Sequence, residues 1–143
     1  MERFYYYNAN PKGRNVGDCI YRAMSLFLGL SWEDTIRLDM DYYLKTGSTF
    51  QGYVEKDDYD TSMSGTEVYL QDELGLSPID KTEYNKYASI SAGITAGEFA
   101  EKYAKKDTTY IVILPTHITV VKDQMIWDTH DCGNVVIQRA YTM

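Results

Sequence analysis

Apolar positions fall into two regimes along this chain. Through the first two-thirds they recur at helical spacing between polar interruptions, and in the last third they come in short β-branched runs. The first strong segment begins after Gly17-Asp18. Ile20, Ala23, Met24, Leu26, Phe27, Leu28 and Leu30 leave almost no polar face, so a central, buried helix is expected from about 19 to 28, with Asp18 as N-cap and Gly29 as its stop. Ser31-Trp32-Glu33-Asp34 restarts a helix with a cap and an acidic first turn. Ile36, Met40, Tyr43 and Leu44 continue it at helical spacing, and Gly47 ends it. Residues 47–65 are polar and acidic around Asp57-Asp58-Tyr59-Asp60 and read as an excursion, either a solvated loop or a rim or lid. A third helix is expected from about Gly65 to Glu73 with Gly75 after it, then an irregular stretch over 76–94. Thr95-Ala96-Gly97-Glu98 is a capping box that opens a helix through Phe99, Tyr103 and Ala104 to Lys105-Lys106. Strands are expected at Tyr110–Leu114, Ile118–Val121, Met125–Trp127 and Val135–Ile137. Aromatic residues 3–7 fit a short strand or packed arm. Helices first and antiparallel strands last define an α+β fold.

Length and charge narrow the partners. The 143 residues suit one domain, 1–143, with no repeat or linker. Net charge is −7 without any basic block, which makes nucleic acid and anionic membrane poor partners. No apolar run is long enough to cross a bilayer and the N-terminus does not read as a secretory leader, so a cytoplasmic location is expected, with Cys19 and Cys132 as free thiols. Fourteen tyrosines suggest amphipathic surfaces or interfaces.

The candidate chemistry starts at Cys19, in the first turn of the central helix, where unpaired N–H groups and the helix dipole favour a thiolate. A buried cysteine filling a small apolar gap fits the same position. His117 begins the second predicted strand and Asp128 ends the third, with Lys122-Asp123-Gln124 between them. A two-residue loop at Lys122-Asp123 sets 117 opposite 128. A loop at Asp123-Gln124 sets 117 opposite 130 with 128 as its diagonal neighbour. Either leaves His117 and Asp128 on one face within reach, whereas a three-residue loop would separate them. A carboxylate on one imidazole nitrogen leaves the other to take a thiol's proton. A metal site from His117, Asp128, His130 and Cys132 has no usual ligand spacing and no Cys-x-x-Cys beside it, so neither metal nor cofactor is expected. Cys132 reads as an incidental thiol, and Asp18 with Arg22 as a helix-supporting i,i+4 ion pair.

Asn10-Pro11-Lys12-Gly13, Gly17-Asp18-Cys19-x-x-Arg22-Ala23 and Ser31-Trp32-Glu33 resemble the N-terminal half of small phage and bacterial members of the papain-like cysteine peptidase superfamily. Thr95-x-x-Glu98-Phe99, Tyr110, His117-x-Thr119-x-Val121-x-Asp123 and Trp127-Asp128-Thr129-x-Asp131 resemble their C-terminal half, while residues 45–94 are largely unmatched. The resemblance implies a papain-like domain: an N-terminal helical lobe with a buried central helix packed on a C-terminal antiparallel sheet. It implies Cys19 as nucleophile, His117 as general base and acid, and Asp128 as the group that orients His117. It also implies an oxyanion hole from the Cys19 N–H and a polar side chain before it. That side chain is often glutamine in better-known members. None precedes Cys19 here, and Asn10 and Asn15 are the available amides. The expected activity is a thiol hydrolase of peptidase, amidase or deamidase type acting on a protein or peptide. The alternative is a non-catalytic protein-binding module on the same scaffold, acting on host machinery.

Overall fold

A computed structural model of the chain describes residues 3–12, 18–51, 53–55 and 62–143, with backbone alone for 53–55 and 62–63. After a short strand β1 (Phe4–Tyr6) come α1 (Cys19–Leu28) and α2 (Trp32–Thr46), then a hairpin of β2 (Tyr53–Glu55) and β3 (Ser62–Ser64). α3 (Gly65–Val68) runs on as a π-helical turn over Tyr69–Glu73. α4 (Lys81–Asn85) interrupts the stretch expected to be irregular, and α5 (Ala96–Glu98) likewise continues as a π turn over Phe99–Tyr103. The chain closes with β4 (Thr109–Leu114), β5 (His117–Lys122), β6 (Met125–Asp128) and β7 (Arg139–Thr142).

The five-stranded sheet has the order β1-β6-β5-β4-β7, antiparallel throughout except for the parallel β1–β6 pair. Strand alternation divides the core in two. Ile111, Ile113, Ile118, Val120 and Tyr141 pack against Ala23, Met24 and Phe27 of α1 and the aromatic group of Tyr42, Phe50 and Tyr69. Tyr110, Val112, Leu114, Val121, Ile126 and Ala140 face Tyr84, Phe99 and Ala100 on the other side. α1 therefore lies across the sheet as the central helix that its all-apolar sequence implies. The fold is α+β, with N-terminal helices and a mostly antiparallel C-terminal sheet.

Local chemistry explains the boundaries. Gly29 and Gly47 end α1 and α2 at φ +70 and +76, the left-handed conformation that an L side chain resists. Ser31 caps α2 by accepting from the Asp34 N–H, and the Thr95–Glu98 capping box is complete in both directions. Two expectations are corrected. The fourth strand is Arg139–Thr142, not Val135–Ile137. The latter segment bridges back to the start of α5, with Val135 O accepting from Ala96 N and Ile137 N donating to Ile94 O. The regular apolar positions of α2 also do not face the core: Met40, Tyr43 and Leu44 are 61%, 53% and 80% exposed, while Thr35, Asp39 and Tyr42 are buried. Asp39 can be buried because its carboxylate accepts from Tyr21 Oη (2.6 Å) and Phe50 N (2.9 Å), tying α1, α2 and the following turn together.

Candidate active site

The β5–β6 turn decides the geometry. Lys122 pairs with Met125, so the loop is the two residues Asp123 and Gln124, both with positive φ (50° and 62°) as a type I′ hairpin requires. Of the two even-length registers, this is the one that makes Asp128 the diagonal neighbour of His117. His117 Nε2 lies 2.7 Å from Asp128 Oδ2. The carboxylate can only accept, so Nε2 carries the hydrogen and Nδ1 is the nitrogen left for exchange with a thiol. Asp128 is itself fixed: Oδ1 accepts from Thr129 N (2.7 Å), and its carbonyl accepts from Tyr7 N (2.8 Å) as β1 runs alongside.

Cys19 opens α1, half-buried, with the His117 imidazole and the Ile118 backbone as the groups beside it that favour a thiolate. Burial pushes the thiol up, but the His117 bond and charge, the Ile118 bond and the Arg22 charge outweigh it, so Cys19 ionises below its ordinary value. Burial works against a charged His117. The Asp128 hydrogen bond, with the nearby Cys132 and Cys19 side chains and the Asp128 charge, overcomes this and holds its pKa at about 11. Burial likewise opposes the Asp128 carboxylate, yet its bond to His117 leaves it ionised below its usual range.

Ionisation of the pair is linked to stability. His117 alone would stabilise the fold fully below 6.5, its ordinary value, and lose that contribution as pH rises through about 11. Cys19 alone would stabilise fully above 9.0, its ordinary value, and lose it as pH falls through its lowered value. Together, the folded pair holds one proton, and so do the two unfolded groups between 6.5 and 9.0. The pair's contribution is therefore flat in that window. It falls above 9.0, where the unfolded groups hold none, and below 6.5, where they hold two. Urea midpoints of the native protein minus those of a Cys19→Ala/His117→Ala variant should follow this plateau, and a difference that keeps rising above pH 9.0 would contradict the ion pair.

Behind the sulfur lies a buried polar network. Asp18 occupies the N-cap position without capping. Its carbonyl accepts from Arg22 N, but its carboxylate binds the Arg22 guanidinium, Trp32 Nε1 (2.9 Å) and Asn10 Nδ2 (3.5 Å). Arg22 Nη2 also stands 4.0 Å from Asp128 Oδ1, so one cation spans both carboxylates. The expected ion pair is present, and it joins the helix to the His117–Asp128 pair. Asn10 is engaged on both sides of its amide, since Oδ1 accepts from Lys12 N (3.0 Å). Asn15 lies outside the described residues.

Two residues that the sequence offered only as members of a disfavoured metal site, and one cleft that it did not show, surround this pair. Cys132, read as incidental, has its sulfur 3.9 Å from Asp128 Oδ2. His117, Asp128 and Cys132 thus bring possible ligand atoms within 4.8 Å of one another, the group among the described residues that could hold a metal ion. His130 Nδ1 is 3.8 Å from Asp128 Oδ1, and its ring lies 4.7 Å from that of His117. A cleft of about 220 Å³ opens beside Cys19 and His117, walled by Gln51, Glu67, Gln138 and Arg139. Gln51 and Ser64 make the ends of the 47–65 excursion part of its rim; the middle of that excursion lies outside the described residues. No helix among the described residues is long and apolar enough to cross a membrane. No known family model, curated protein or solved structure matches this chain.

Proposed function

We propose that the chain is a thiol-dependent acyl hydrolase of papain-like type, acting on a peptide or amide carbonyl. The observation that carries this reading is that Cys19 and His117 line one cleft while the Asp128 carboxylate holds that same imidazole. In the proposed reaction the Cys19 thiolate attacks the carbonyl carbon and forms the C–S bond. The His117 imidazolium gives its Nδ1 proton to the leaving amine as the C–N bond breaks. Water, deprotonated by His117, then attacks the thioester carbon; the C–S bond breaks, the carboxylic acid leaves, and the Cys19 thiolate and His117 imidazolium are restored. Asp128 holds the ring through Nε2 and stabilises its charge. The N–H of Cys19, at the start of α1, is the donor available to a developing oxyanion. The side-chain amides of Gln51 and Gln138 are further donors on the cleft wall.

The test is capture of the intermediate. Peptides incubated with the protein should leave an acyl group on the Cys19 peptide, seen by mass spectrometry and released by hydroxylamine. The group should be absent in Cys19→Ala and His117→Ala, and reduced but present in Asp128→Asn. Acylation that persists in His117→Ala would remove the mechanism.

One observation favours the alternative of a protein-binding module: the exposed Met40, Tyr43 and Leu44 side chains on α2. That role needs no ionised thiol, so a Cys19 that is inert across neutral pH would favour it.

A further inference from the structure

The cleft contains a second ionic arrangement, away from the thiol. Glu67, which lines the same cleft as Cys19 and is 1% exposed, accepts from Arg139 Nε (2.6 Å) and Nη2 (3.0 Å) in a two-pronged pair. Its Oε1 also accepts from Tyr141 Oη (2.8 Å), and that oxygen in turn accepts from Gln71 Nε2 (3.0 Å). A buried carboxylate with this many donors fixes a guanidinium firmly. The guanidinium is not itself buried away: the Arg139 side chain is 23% exposed and lines the cleft. Among the described residues Nη1 makes no hydrogen bond, so one N–H edge remains unused.

Sheet register places this edge. Arg139 pairs with Ile113, and Ile113 with Ile118, which lines the cleft together with Cys19. Two strand spacings, about 10 Å, therefore separate the Arg139 and Ile118 backbones. The Nε and Nη2 edge of the guanidinium meets Glu67, which leaves the Nη1 edge for an incoming group in the cleft that Arg139 lines. Besides Cys19, His117 and the Glu67 already paired with Arg139, the polar side chains of the cleft wall are neutral Gln51, Ser64, Thr116 and Gln138, so Arg139 is the guanidinium among the described lining residues.

We propose that Arg139, held by Glu67, is a specificity-determining residue that receives a carboxylate of the acyl substrate about one residue from the carbonyl that Cys19 attacks. Planar N–H donors match a carboxylate better than a point-charge ammonium does. The carboxylate comes from an acidic side chain or from a peptide C-terminus. The inference rests on Cys19 being the nucleophile.

Three alkylating probes separate the possibilities. Bromoacetyl-alanine carries a free C-terminal carboxylate, bromoacetyl-glutamic acid α-amide carries a side-chain carboxylate, and bromoacetyl-alanine amide carries none. In each, the Cys19 thiolate forms a C–S bond and bromide leaves. At least one carboxylate probe should modify Cys19 about tenfold faster than the amide probe, the value of one charge-assisted hydrogen bond. Whichever is faster identifies the source. Arg139→Gln should remove the preference, so that the carboxylate probes and the amide probe modify Cys19 at similar rates in that variant. If Arg139→Gln does not fold with Glu67 left unpaired, Arg139→Lys keeps a cation against Glu67 without the planar fork, and the preference should fall there too. Equal rates for all three probes on the native protein, or a preference unchanged in the variant that folds, overturns the proposal. Iodoacetamide reads the nucleophile separately. Inert Cys19 means the hydrolase reading has failed and this inference with it, whereas a reactive Cys19 without carboxylate preference means that Arg139 alone was misassigned.

Discussion

Iodoacetamide alkylates Cys19 at pH 6.5 between about tenfold and a hundredfold faster in the native protein than in His117→Ala, read by peptide mass spectrometry. An ordinary thiol with a pKa near 8.5 is only about 1% ionised at that pH. In the native protein the His117 bond and charge, the Ile118 bond and Arg22 keep the thiolate populated against the burial that opposes it. Losing His117 leaves burial largely unopposed. The full factor is not realised because a less basic thiolate is also a weaker nucleophile, with rate rising by roughly half a decade per pKa unit. Native Cys19 should therefore keep reacting as pH is lowered towards 6, while the variant's rate falls tenfold per unit. Asp128→Asn should lie between them, since an amide oxygen still accepts from Nε2 but carries no charge. Cys132, 4% exposed, is the internal control in every sample because its access is limited whatever its ionisation. A native profile that tracks that of His117→Ala would show that His117 does not hold Cys19 as a thiolate, and the hydrolase proposal would fall with it.

Much of this arrangement was legible because it rests on short-range rules. The even-length β5–β6 turn limits His117 and Asp128 to one face, and the observed Asp123-Gln124 loop is one of the two registers that parity permits. The Thr95–Glu98 capping box, the Gly29 and Gly47 stops and the all-apolar α1 are local in the same way. What escaped depends on tertiary contact. Val135-Val136-Ile137 has the composition of a strand, but its backbone pairs with residues 94–96. The strand beside β4 is Arg139-Ala140-Tyr141-Thr142, where only Ala140 and Tyr141 are buried, one in each core, between half-buried polar ends. The apolar residues of α2 gave a helix correctly but not its orientation, because Asp39 and Thr35 are buried through partners elsewhere in the chain or one turn back. Asp18 looked like a cap because its type and position fit one. Arg22 and Trp32, four and fourteen residues on, take its carboxylate instead. Cys132 showed no ligand-like spacing, yet the loop after β6 returns it to Asp128. The cleft wall draws Gln51, Glu67 and Arg139 from three separate segments, and no linear pattern joins them.

The Asp18–Arg22 pair carries the largest expected effect on stability. Both side chains are buried, at 6% and 8% exposure. Arg22→Met removes the cation and leaves the Asp18 carboxylate with Trp32 and Asn10 as neutral donors, an uncompensated buried charge costing about 3–5 kcal/mol. A domain of this size has only about 5–15 kcal/mol in total, so a Tm drop of roughly 10 °C or more is expected. Asp18→Asn should cost less, because its amide oxygen still accepts from Trp32 and Arg22 retains Asp128 at 4.0 Å. The double variant Asp18→Asn/Arg22→Met should recover part of the loss, since neither charge is then stranded, and the non-additivity measures the pair. The same cation lowers the Cys19 pKa and stands beside Asp128, so Arg22→Met should also slow alkylation of Cys19 at pH 6.5 in the fraction that remains folded. The two readouts have different meanings. A Tm loss with unchanged Cys19 reactivity would make Arg22 a helix anchor only, whereas slower alkylation of folded protein would make it the link by which the start of α1 and the His117–Asp128 pair are held in one electrostatic unit. A Tm within about 2 °C of the native protein would mean that water reaches Asp18 and that the network is not the buried unit its geometry describes.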